Sequence, residues 1–73
     1  MFVIKAIRHD RQTDIYEATQ ISITSDRDGV ILENSQNNSS TTLRVGNNEY
    51  HARIFIENQA GRTIESLYPS KDQ

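Results

Sequence analysis

Apolar residues recur along this chain with a spacing near two, and hardly anywhere with the 3.6 spacing of an amphipathic helix. Residues 2–8 (Phe-Val-Ile-Lys-Ala-Ile-Arg) are short, β-branched and apolar on both faces, which predicts a buried first strand. His9–Thr13 is wholly polar and reads as a turn. Over 14–24, Ile15, Thr19, Ile21 and Ile23 share one face and Tyr16, Ala18, Gln20 and Ser22 the other. Glu17 interrupts the first face and suggests a bulge there. A helix over 10–19, capped by Asp10, is the competing reading; the Ile-Ser-Ile-Thr run that follows favours a strand. Further strands are expected over 30–33, 42–46, 49–57 and 62–68. The fold class that follows is all-β: a single small antiparallel sheet or open barrel of five or six short strands joined by hairpin turns.

The turns carry their own chemistry. Asp26-Arg27-Asp28-Gly29 and Asn58-Gln59-Ala60-Gly61 both place Asx first and Gly fourth, the type I preference with Gly in the left-handed position. Gly46-Asn47-Asn48 suits a tight primed turn. For the last hairpin, a loop over 59–61 sets Asn58 against Arg62, Ile56 against Ile64, Ile54 against Ser66 and Ala52 against Tyr68. For the Asp26–Gly29 hairpin, a three-residue loop sets Ile23 against Glu33 and a four-residue loop sets it against Leu32; the apolar pattern favours the second. Glu33–Thr42 has no apolar residue, so 34–42 is expected to be a flexible polar loop. One domain over 1–70 with a frayed tail at 71–73 completes the plan.

Composition sharpens the picture at one point. Ordering 73 residues costs roughly 1.5 kcal/mol each, yet only 34% of them are hydrophobic and none is Trp. Disulfides cannot compensate because there is no Cys, and zinc would have only His9 and His51 as nitrogen ligands. Self-association is the remaining remedy for a thin core. The net charge of −2 is spread evenly, with no basic arm, so non-specific nucleic-acid binding is not expected. No apolar run nears the ~20 residues that span a membrane, and the N-terminus lacks signal-peptide order; the expectation is a cytoplasmic protein.

Candidate chemistry is sparse. His9 and His51 could join Asp10 or Glu49 in a metal site, but nothing in their spacing requires it, and two surface histidines is the simpler reading. Asp26–Gly29 resembles part of a calcium loop and then lacks the closing Glu, since position 37 is Asn. The sequons at Asn37 and Asn38 matter only in a secreted chain. No Ser stands in a nucleophile elbow, and three glycines at 29, 46 and 61 make no phosphate loop. No catalytic residue, metal ligand or cofactor is therefore assigned.

A binding face is the better candidate. The expected register of the last hairpin places His51, Arg53, Phe55 and Glu65 on one side, with Leu67 diagonal to Phe55. Aromatic residues and Arg are enriched in interface centres. The rival reading covers this side within the monomer. The functional expectation is a small non-enzymatic protein-interaction module acting as a homodimer, with any further protein partner unspecified. The alternative is a single-stranded nucleic-acid binder, with Tyr50, Phe55 or Tyr16 stacking on bases beside Arg53, Arg44 and Lys5. A small enzyme is the third reading.

Overall fold

The computed structural model describes residues 1–69; the expected frayed tail at 71–73 lies outside the described residues. Within them the chain forms seven strands: β1 (Phe2–Arg8), β2 (Thr13–Ala18), β3 (Gln20–Ile23), β4 (Gly29–Asn34), β5 (Ser39–Arg44), β6 (His51–Glu57) and β7 (Thr63–Leu67). They make two antiparallel sheets, one ordered β2-β1-β6-β7 and the other β3-β4-β5. The sheets do not close into a barrel, and the described residues contain no helix. The competing helix over 10–19 is thus replaced by strand.

The alternating run 14–24 serves both sheets. Its first half pairs with β1, with Tyr16 opposite Ile4, and its second half with β4, with Ile21 opposite Leu32. The strand breaks at Thr19, whose N–H (2.9 Å) and hydroxyl (3.1 Å) both donate to the Glu33 carbonyl. The irregularity expected near Glu17 is therefore this change of sheet, and the β1–β2 register runs through Glu17 without a shift.

The β3–β4 loop has the expected four residues but lies one position earlier, over 25–28. Ile23 opposes Val30 rather than Leu32. Thr24 fixes the position: its N–H donates to the Gly29 carbonyl at 3.0 Å, and its hydroxyl donates to Asp28 Oδ1 at 2.9 Å. Arg27 takes the left-handed conformation (φ 59°) expected of Gly29. Gly29 instead begins β4 beside β5, where a Cβ would stand 2.7 Å from the Leu43 carbonyl oxygen. It is required by close approach and not by φ.

The polar run 34–42 is mostly strand. Ser39–Arg44 pairs with Gly29–Asn34 along its length, and only 35–38 turn, held by the Asn34 and Asn37 carboxamides accepting from Gln36 and Ser39 N–H. Edge-strand pairing uses backbone groups, so Ser and Thr side chains that face water suffice. The primed turn expected at 46–48 is not made, because none of those residues has positive φ. Gly46 accepts from Glu49 N–H at 3.3 Å in an ordinary turn.

Two β-bulges reset the last hairpin. Between β1 and β6, Ile7 opposes Arg53 but Arg8 opposes His51, which leaves Ala52 extra. Between β6 and β7, Glu57 opposes Thr63 but Ile56 opposes Glu65, which leaves Ile64 extra. Each extra residue turns the chain beyond it over. Ile54 consequently faces Leu67 rather than Ser66, and Ile56 faces Glu65 rather than Ile64. The core lies between the sheets. Ile4, Ala6, Ile54, Ile56 and Leu67 meet Val30, Leu32 and Leu43, with Ala18 and Val45 completing it.

Candidate functional site

The bulges divide the five expected interface residues between the two faces of one sheet. Arg53 and Phe55 lie on the outer face of the four-stranded sheet, as expected. Leu67 is 1% exposed and belongs to the core opposite Ile54. His51 is 4% exposed and also points inward. Glu65, opposite Ile56 on the inner side, reaches Arg27 of the β3–β4 loop at 3.4 Å. The expected Phe55–Leu67 pair does not form. Phe55 instead meets Tyr68 edge-on, with ring centroids 6.0 Å apart.

The outer face can be read as three rows across the strands. The middle row is Ile15, Lys5, Phe55 and Ser66. On one side lie Glu17, Val3, Glu57 and Thr63, and on the other Thr13, Ile7 and Arg53. Ile64 belongs with the first of these flanking rows as the bulge residue beside Thr63. Tyr68, two residues beyond Ser66, lies towards the second. Ile15 is 64% exposed, Tyr68 55% and Ile64 42%, while Val3, Ile7 and Phe55 are half-buried. Lys5 Nζ bonds Glu57 at 2.9 Å between two of the rows. Apolar side chains thus occupy every strand of this sheet face, and Ile15, Ile64 and Tyr68 among them are exposed.

The inner face ends in a polar cluster that sequence reading missed. Arg8 grips Asp14 with two N–H groups, Nε to Oδ2 at 2.8 Å and Nη2 to Oδ1 at 2.5 Å. His51 Nε2 donates to the same Oδ2 at 2.8 Å. The Tyr50 ring lies 5.1 Å from the Arg8 guanidinium carbon and edge-on to His51. The Arg8 guanidinium, then the His51 imidazole, hold the Asp14 carboxyl down at about 2. Arg8 is correspondingly raised above the ordinary arginine range, first by its hydrogen bond to Asp14. The cluster joins the end of β1, the start of β2 and the start of β6, and so clamps the Ala52 bulge. His9 has a similar task in the neighbouring turn, donating from Nε2 towards the Gly46 and Glu49 carbonyls, each at 3.0 Å.

Beside this cluster a groove of about 430 Å3 opens between β2 and β5. It brings together Tyr16, Tyr50 and Arg44, three of the six residues expected to serve a nucleic-acid strand. Lys5, Arg53 and Phe55 lie on the outer face of the sheet instead. Among the described residues, no group of three or more His, Asp or Glu is placed to hold a metal ion, and no helix is long and apolar enough to cross a membrane.

No family model, curated protein or solved structure matches the chain.

Proposed function

We propose that this protein is a non-enzymatic interaction module whose working surface is the outer face of the four-stranded sheet, and that it associates with itself there. The observation that carries the reading is the apolar content of that face, where Ile15, Ile64 and Tyr68 are exposed on the same side as the Phe55–Tyr68 ring pair. Large apolar side chains grouped on one sheet face mark association surfaces, whereas scattered ones do not. The thin core of a 73-residue chain points the same way, since a second chain supplies the missing buried area. Sedimentation equilibrium tests the reading. The wild type is expected to dimerise and Phe55→Glu to dissociate it, by burying an unpaired carboxylate. Phe55 faces outward, so this variant should keep the wild-type circular dichroism spectrum. A wild type that stays monomeric at high concentration rejects the proposal.

One observation favours a second reading, single-stranded nucleic-acid binding: Tyr16, Tyr50 and Arg44 meet in one groove. Salt-sensitive binding of a labelled oligonucleotide that Tyr50→Ala abolishes would support it. The even charge distribution places it second.

A further inference from the structure

Resting on self-association through this face, we infer that two copies meet with their strands antiparallel, about a two-fold axis that lies between the sheets and runs across the strands through the Phe55 row. The arrangement follows from the chemistry of the three rows. Along β6 the outward residues are Arg53, Phe55 and Glu57, a cation and an anion evenly spaced about an aromatic. A two-fold across the strands exchanges the flanking rows and maps the middle row onto itself. Arg53 then faces Glu57 of the second copy, and Glu57 faces the second copy's Arg53.

The same operation matches the other strands. On β1 it sets Val3 over Ile7 of the second copy, and on β7 it sets Ile64 over the second copy's Tyr68. In the middle row Ile15 meets Ile15 and Phe55 meets Phe55. The one unfavourable coincidence is Lys5 over Lys5, and each of these lysines is already paired with its own Glu57 at 2.9 Å. The other face-to-face two-fold, parallel to the strands, leaves each row over itself and exchanges β1 with β6. Val3 would then cover Glu57, Ile7 would cover Arg53 and Ser66 would cover Ile15, so apolar groups meet charged or polar ones. Opposite charges across an interface fix the register of docking and penalise wrong arrangements. Isologous association requires a patch complementary to itself under the two-fold, and only the cross-strand axis provides that here.

The face is four strands, or about 19 Å, across at ~4.8 Å per strand, small beside a standard interface, so association in the micromolar range is expected. The experiment exploits the two charge pairs. Arg53→Glu alone sets two carboxylates against each other twice, and Glu57→Arg alone does the same with two guanidinium groups. Each variant should self-associate roughly tenfold or more weakly than wild type, since two modest attractions become repulsions. Mixed in equal amounts, they should form a heterodimer within about threefold of wild-type affinity, because both pairs are then opposite again. Sedimentation of the variants singly and mixed measures this, with circular dichroism confirming that each is folded.

A second measurement uses the absence of cysteine from the chain. With a bis-maleimide that spans about 10 Å, the separation of packed sheets, Ser66→Cys should link to itself, because Ser66 lies on the axis row. Ser66→Cys mixed with Ile15→Cys should give little mixed product. A wild-type dimer with no rescue on mixing, or with Ser66→Cys linking preferentially to Ile15→Cys, overturns this arrangement while leaving self-association standing. A monomeric wild type removes both.

Discussion

The bulge at Ile64 makes opposite demands on two neighbouring apolar residues, and those demands can be measured. An unbulged hairpin would bury Ile64 opposite Ile56 and leave Leu67 outside. The structure buries Leu67 opposite Ile54 and leaves Ile64 42% exposed. Leu67→Ala removes three buried carbon groups, worth about 0.8 kcal/mol each on transfer, and leaves a cavity between Ile54 and the facing sheet. The expected loss is about 3 kcal/mol. Ile64→Ala removes a similar number of carbons from a side chain that is part-exposed and can leave no closed cavity, so its expected loss is about 1 kcal/mol. Urea titration followed by circular dichroism, at a concentration low enough to keep the protein monomeric, compares the two. Stabilities of small domains lie near 5 kcal/mol, so Leu67→Ala should move the midpoint most of the way to zero denaturant while Ile64→Ala leaves a clear folded baseline. Equal losses, or a larger loss at Ile64, would show that β7 pairs without the bulge.

Gly61 has φ +83° and open space where a Cβ would stand, so Gly61→Ala should cost about 1 kcal/mol from backbone strain alone. Ala60→Gly should cost clearly less, and equal losses in thermal melts would move the left-handed residue elsewhere. At Gly29 the obstacle is steric: with a Cβ at 2.7 Å from the Leu43 carbonyl oxygen, Gly29→Ala should lose about 1–3 kcal/mol and disturb β4–β5 amide protection in hydrogen exchange. Asp14 is held at about 2, below its ordinary 3.8, so the folded state favours its ionised form. Its contribution is complete above pH about 4 and is lost as the pH falls from there through about 2. Asp14→Asn should therefore destabilise the protein at pH 7 and flatten the fall in stability over that acid window; an unchanged acid profile would show that the clamp contributes nothing.

Much of the fold was legible because alternation and turn chemistry are local signals. The strands at 2–8 and 51–57, the loop at 58–61 and the all-β class all follow from residues close in sequence. What was hidden depended on residues far apart. Nothing near Thr19 announces that the strand changes sheets there, because the cause is a carbonyl at Glu33. Nothing near Ala52 or Ile64 declares them extra, because a bulge is defined by the partner strand. The candidate site inherited that limit. Phe55 and Arg53 kept their side because no bulge separates them, whereas His51 and Leu67 lie beyond the two bulges and were turned inward. The Arg8–Asp14–His51 cluster escaped notice for the same reason: its outer members are 43 positions apart and meet only once β1 lies against β6. The strand over 39–42 was missed differently, since an edge strand needs no apolar side chains and leaves no pattern.

The order of strands also sets a timetable for synthesis. The three-stranded sheet is contiguous, running from Gln20 to Arg44 through two tight turns, so its pairings can form as soon as that stretch leaves the ribosome. The four-stranded sheet has two strands made before this unit and two made after it, and β1 sits between β2 and β6 in the finished molecule. Until His51–Glu57 has emerged, the nascent β1–β2 hairpin holds one side of β1 open and the apolar inner face of the later sheet incomplete. That unpaired edge is open to pairing with another chain, and the closing step joins residues about fifty positions apart.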